Sequence, residues 1–360
     1  MSRAIPTGKL PPALLAELLA AGPALPAEVR LGPRPGEDAC AIDVPAGTLV
    51  AGTDPITLTG KDIGAHAVVV NANDVAVMGV RPRWFLAAVL LPAGTRERDV
   101  RALFAAMRSG LRACGAALVG GHTEVTRAVV QPVIVGQMLG IAETGRIVPT
   151  GGVRPGDAVV QVGPAPIEGA AVLAREARGR LSGLRRASRA AALRALDDPG
   201  ISVVEPALAC AELGATALHD PTEGGLAAGL TELADASGVA LRVESAAVAW
   251  FAPGLEVCAA LGADPWGTLA SGSLLAGFPA AAAERACAAL AARGFTVRII
   301  GRAEAGAGVR LDGRPLVAPA RDEVARVLDR PARRPGRQAR KRSRSPASGR
   351  RQASRRPNTR

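Results

Sequence analysis

The chain has 360 residues, 48% of them hydrophobic, enough to bury one large core or two ordinary ones. Its 42 glycines and 28 prolines follow no collagen period and imply many tight turns between short elements. The net charge of +12 invites a nucleic-acid reading, but residues 330–360 hold 13 basic side chains and no acidic one. Taking those 13 from +12 leaves about −1 for residues 1–329, so the basic character belongs to the tail.

Five cysteines (Cys40, Cys114, Cys210, Cys258, Cys287) are widely spaced and form no C-x-x-C pair. Such usage reads as reduced thiols in a cytosol, hence a cytoplasmic protein. Leu10, Leu14, Leu15, Leu18 and Leu19 fall at helical spacing around Glu17, which predicts an amphipathic helix rather than a signal peptide. No run approaches the ~20 apolar residues that a membrane span needs.

In chain order, residues 1–30 read as a helical lead-in. Between 31 and 150, β-type runs (39–44, 48–53, 84–91, 129–140) mix with helix-type runs (63–78, 96–114). The breaker-rich stretch from Pro149 to Gly156 marks a boundary. Beyond it, a strand at 157–162 and a helix at 167–178 open a second region that alternates to about 329. The pattern predicts a two-domain α/β (α+β) protein, 31–150 and 151–329, followed by an Arg-rich tail, 330–360, expected to be disordered.

Four constellations carry chemistry. In the first, Gly36, Glu37 and Asp38 are followed by Thr53, Asp54 and Pro55. A hairpin through Pro45-Ala46-Gly47, with Val44 facing Thr48, sets Asp38 opposite Asp54. Facing carboxylates repel unless a cation lies between them, and Mg²⁺ suits such a pair. Exposed loop carboxylates at strand ends are the alternative.

The second is the helix-type run Ile63–Gly79, apolar apart from His66, Asn71, Asn73 and Asp74. Asn71 and Asp74 share a face. No basic residue lies between His66 and Arg81, so Asp74 needs a distant arginine or a bound cation. His66 reads as a packed or capping histidine.

The third is Gly120-Gly121-His122-Thr123-Glu124, two glycines that end a strand and let backbone N–H groups approach a ligand. His122 and Glu124 could act as acid or base, or be structural. The fourth is His219-Asp220-Pro221-Thr222-Glu223-Gly224-Gly225-Leu226. A helix starting near Pro221 leaves free N–H groups and a positive dipole end for a phosphate, with Asp220 as a further metal ligand. An ordinary capped helix is the alternative. A Walker loop, a dinucleotide glycine fingerprint, a nucleophile elbow and a kinase signature set are all missing from the sequence.

Taken in order, GEDA, TDP, NANDVAVMG, GGHTEV and HDPTEGGL resemble the AIR synthase superfamily over about residues 8–327. The stretches HDPTEGGL and GPAPIEGAAVLARE look most like its hydrogenase-maturation HypE branch. The resemblance implies a homodimer joined through N-terminal sheets, with ATP in a cleft near that interface. It implies Mg²⁺ on Asp38, Asp54, Asp74 and Asp220. It also implies ATP or phosphate contacts from Gly36, Asn71, Asn73, Gly120, Gly121, Thr123, Thr222, Gly224 and Gly225. The expected reaction activates an amide, carboxylate or similar oxygen by phosphorylation, on a small-molecule or protein-borne acceptor, with a partner protein if the chain is a maturation factor. The sequence departs from that branch in ending Pro357-Asn358-Thr359-Arg360 without a terminal cysteine and in carrying Ser271-Gly272 for a Glu-Gly pair. A paralogue with another acceptor is therefore expected beside a cyclo-ligase or a thiamine-monophosphate kinase-like enzyme. Readings of other classes are nucleic-acid binding through the tail and a non-catalytic scaffold.

Overall fold

The computed structural model describes residues 5, 8–9, 12–22, 24–31, 41–44, 46–57 and 62–329. Gly36, Asp38 and the tail lie outside these, as do the expectations placed on them.

The first half runs β1 (Gly8–Lys9), α1 (Pro12–Ala20), β2 (Val29–Leu31), β3 (Ala41–Ile42), β4 (Thr48–Ile56), α2 (Ile63–Ala76), β5 (Pro82–Pro92), α3 (Glu97–Cys114), β6 (Ala117–Thr126) and β7 (Val133–Ala142). Its five-stranded sheet has the order β1-β6-β5-β7-β4, so β4 is an edge. The second half contains β8 (Ala158–Val162), α4 (Glu168–Glu176), α5 (Arg186–Arg194), α6 (Val204–Glu212), β9 (Ala217–His219), α7 (Gly225–Ser237) and β10 (Ala240–Val243). It continues with α8 (Ala252–Leu261), β11 (Leu274–Phe278), α9 (Ala280–Ala292), β12 (Val297–Glu304), β13 (Gly308–Leu311), β14 (Arg314–Leu316) and α10 (Glu323–Leu328). Seven of these strands form a sheet in the order β14-β13-β10-β12-β8-β11-β9. Among the described residues, no helix is long and apolar enough to cross a membrane.

Local chemistry accounts for the elements that frame the first sheet. Helix α3 buries Val100, Leu103, Phe104, Met107 and Leu111, the i, i+3, i+4 stripe of a one-sided helix. Glu97 and Asp99 in its first turn and Arg112 in its last suit the helix dipole, and Gly115 closes it at φ 72°. Helix α2 has no polar face because it is covered on all sides, by the sheet, by α3 and by the second half. Two glycines let α2 and α3 approach. A Cβ on Gly64 would stand 2.3 Å from the Leu103 carbonyl oxygen, and one on Gly110 would stand 3.1 Å from Val68 Cβ.

Three expectations are corrected. The strands β3 and β4 do not pair as a hairpin: β3 pairs with β2 (Ile42↔Val29), and β4 runs antiparallel to β7, with Asp54 opposite Gly136. The nine-residue β4 buries one face against α2 through β7, a longer ladder than the two-residue β3 could offer. The glycine pair does not end a strand either: β6 continues from Ala117 through Thr126, with an irregularity in its pairing beside Gly120. The helix of the fourth motif begins at Gly225, not near Pro221, because Gly224 takes a left-handed conformation (φ 77°) as its N-cap.

Replacing Gly64 by alanine forces α2 and α3 apart, and the expected loss is about 1–3 kcal/mol of folding free energy. Denaturant unfolding of the variant would read this as a lower midpoint with an unchanged slope.

Candidate active site

The face of the first sheet that meets α2 carries the site. Along β4, Val50, Gly52, Asp54 and Ile56 are its more buried residues, facing α2, while Leu49, Ala51, Thr53 and Pro55 are exposed on the other face. Asn71 fixes the local backbone. Its Oδ1 accepts from the Asp54 N–H (2.8 Å), and its Nδ2 donates to the carbonyls of Asp54 (3.3 Å) and Ala67 (2.9 Å). Gly136 makes room for that amide, since a Cβ there would lie 2.3 Å from Asn71 Nδ2. One turn on, Asp74 lies over Gly52, whose absent Cβ would stand 3.0 Å from Asp74 Cβ and 3.3 Å from its Oδ2. The second half adds Asp220, buried just past the end of β9.

These three carboxylates feel one another. Burial pushes Asp74 up to about 8, and the charges of Asp220 and Asp54 push in the same direction. Burial raises Asp220 to about 6; His219 and the backbone N–H of Asp220 itself oppose that rise, while Asp54 and Glu232 add to it. Asp54 is also raised, by burial. Among the described residues none of the three forms an ion pair with an arginine or lysine, and no three acidic, histidine or cysteine side chains stand close enough together to hold a metal ion by themselves. Carboxylate oxygens that burial and one another's charges hold toward the protonated form, with His219 opposing this only at Asp220, are the donor type that Mg²⁺ takes.

Other expected residues are placed differently. Asn71 and Asn73, expected at the nucleotide, spend both ends of their amides on backbone: Asn73 donates to the Ile201 carbonyl and accepts from the Val203 N–H, each at 2.9 Å. Helix burial leaves no water to satisfy those groups, so the amides serve the fold. The strand register puts His122 and Glu124 in the rows of Ala88 and Leu90, on the sheet face away from α2. Their side chains meet there at 3.4 Å, Nε2 to Oε2, partly in solvent. Gly120 lies on that outer face too, whereas Gly121 and Thr123 fall in the rows of Ala87 and Val89, on the α2 side. The fold therefore does not bring His122 and Glu124 to the three aspartates.

At the fourth motif, the N–H groups expected to be free are taken. Gly224 N–H donates to Asp322 Oδ2 (2.8 Å), and Gly225 N–H to the Thr222 carbonyl (3.1 Å). An internal carboxylate already occupies the positive end of α7, a partner about a hundred residues away that local sequence could not reveal. The pattern also missed the buried contact of His66 Nε2 with Glu168 Oε1 (2.8 Å), which joins α2 to the start of α4. His66 is thus packed, and its partner lies in the other half.

Comparison with known proteins agrees with this architecture. Family models of AIR synthase related protein match twice, the N-terminal domain over residues 36–142 and the C-terminal domain over 154–314. Carbamoyl dehydratase HypE of Rhodobacter capsulatus is 35% identical over 255 residues, spanning 70% of this chain and 72% of that protein. A thiamine-monophosphate kinase of Mycobacterium tuberculosis is 31% identical over 258 residues, 69% and 73% of the two chains. Among solved structures, E. coli HypE, a hydrogenase maturation protein, superposes with a TM-score of 0.72 at 25% identity, covering 88% of this chain and 98% of that one. A HypE in complex with ATP gives 0.69 at 26% identity, covering 81% and 90%.

A carboxyl whose folded value exceeds its unfolded one costs stability progressively as pH rises from about 4 to the folded value, and nothing below. For Asp74 that window ends near 8. Without divalent ions, Asp74→Asn should be more stable than the parent at pH 8 by on the order of a few kcal/mol, the gap closing near pH 4. Urea titrations at the two pH values check this.

Proposed function

The chain belongs to the AIR synthase related family, and from that premise we propose an ATP- and Mg²⁺-dependent enzyme that phosphorylates an amide or carboxylate-type oxygen of its acceptor. The reading is of a carbamoyl dehydratase of the HypE kind, or a paralogue acting on another acceptor. What supports it is that Asp54 and Asp220, from two halves of the molecule, both act on Asp74 through their charges, while among the described residues no arginine or lysine pairs with any of the three.

In this reading Asp54, Asp74 and Asp220 would hold the ion, with Asp38, outside the described residues, as the further ligand the family resemblance implies. Mg²⁺ bound there would supply positive charge against the triphosphate and its leaving group. The chain's own part is placement: Asn71 aims Asp54, Gly52 seats Asp74, and β9 presents Asp220. The family resemblance assigns phosphate contacts to Gly121, Thr123 and Thr222, and to Gly36, which lies outside the described residues. Such transfer rests on positioning and charge stabilisation more than on covalent help from the protein.

The family resemblance and the exposed outer face of the first sheet support a homodimer. Among the described residues, Leu49 and Pro55 of β4, Val135 and Leu139 of β7 and Leu86 of β5 form there an apolar surface, bordered by Val29 of β2 and Ile42 of β3. Because β4 is the edge, that outer face and the carboxylate face share one strand. His122 and Glu124 serve as acid and base only in a site shared between copies. Four described cysteines are unpaired, which suits a cytosolic enzyme.

Mg-ATP should raise the melting temperature of the full chain, with stabilisation of about 2.7 kcal/mol at a hundred times the Kd. Asp74→Ala should remove that rise; an unshifted parent protein would sink the reading. Phosphate release from ATP with a carbamoyl-amide acceptor, set against thiamine monophosphate, separates dehydratase from kinase.

A further inference from the structure

Two consecutive residues of α2 serve different partners. Asp74 lies over Gly52 beside the other carboxylates, while Asn73 reaches into the second half. Its Nδ2 meets the Ile201 carbonyl and its Oδ1 the Val203 N–H, both at 2.9 Å, at a residue only 1% exposed. Val203 immediately precedes α6, and α6 leads to β9, whose next residue is Asp220. At the other end of α6, Ala211 rests on Gly79, where a Cβ would stand 3.2 Å from Ala211 Cβ. The segment that delivers Asp220 is thus pinned at its start to the helix that carries Asp74, and at its far end passes close to the turn that follows that helix. A third link across this seam, Arg81 to Glu205 at 2.8 Å, is more than half exposed on both sides and holds little.

We infer that Asn73 is a positioning residue for the divalent-ion site, setting the register of Asp220 against Asp54 and Asp74 by docking α6 on α2. The inference rests on the reading of those carboxylates as an ion site. The residue type follows from the contacts. One donor and one acceptor are needed, pointing to groups two residues apart, without charge. An aspartate would keep the acceptor, lose the donor and place another negative charge beside Asp74. An apolar side chain would leave the Ile201 carbonyl and the Val203 N–H buried without partners.

The test compares full-length parent, Asn73→Ala, Asn73→Ser, Glu205→Ala and Asp74→Ala. Mg²⁺ is titrated at fixed ATP with the melting temperature as readout, and amide exchange is followed over residues 201–206. Asn73→Ala should raise the half-saturating Mg²⁺ concentration tenfold or more, yet reach the parent's shift at saturating Mg²⁺. Asn73→Ser, which keeps one polar contact, should fall between, and Glu205→Ala should match the parent. A purely structural asparagine would lower the ligand-free melting temperature and leave the Mg²⁺ midpoint where it was, which overturns the inference. Should Asn73→Ala not fold, an unchanged midpoint in Asn73→Ser overturns it equally. If Asp74→Ala titrates like the parent, the ion-site reading itself fails. If Asp74→Ala loses the response while the Asn73 variants keep the parent midpoint, only the positioning role is lost.

Discussion

Helix α2 is covered by the five-stranded sheet, by α3 and by the second half, yet Asp74 stands near its end with no cation to meet it. An apolar helix in that setting would bury itself without difficulty. A carboxylate there raises its own proton affinity and that cost falls on the folded state. The surroundings fit this one carboxyl: Gly52 opens space beneath it, Asn71 pins the backbone of Asp54 on the facing strand, and Asn73 brings the second half alongside. Perturbed carboxyls of this kind cluster at functional sites, and here all three acids are raised, with burial the largest cause at each.

The two polar systems of α2 differ in a way that clarifies their roles. The asparagines bond backbone through both ends of their amides, so they fix geometry. The aspartates repel one another and pair with no arginine or lysine among the described residues, which leaves their charge for a ligand. The buried His66–Glu168 contact belongs to the first class, tying α2 to α4 as Asn73 ties it to α6.

The first sheet separates functions between its faces. The face toward α2 holds Asp54, beside Asp74 of that helix, while the outer face holds His122, Glu124 and a largely apolar surface. Alternation along a strand makes this division unavoidable, since neighbours in sequence point opposite ways. A motif that looks like one cluster in the sequence, Gly120 to Glu124, is therefore split by its own strand, with Gly121 and Thr123 on one side and His122 and Glu124 on the other.

Much of this was legible in the residues alone. The ordered motifs identified the family, the one-sided stripe of α3 and the apolar run of α2 located the helices, and the isolation of Asp74 from any nearby base marked it as unusual. Those features are local, set by side-chain period and by charges absent within a few turns. What needed the tertiary structure was every pairing between distant segments: β4 with β7 instead of β3, Asn73 with Ile201 and Val203, and Gly224 with Asp322. The sequence determined which groups would be short of a partner. Only the folded chain decided who their partners are, because a buried donor or acceptor is satisfied by whatever packing brings within 3 Å or so, however far away it lies along the chain.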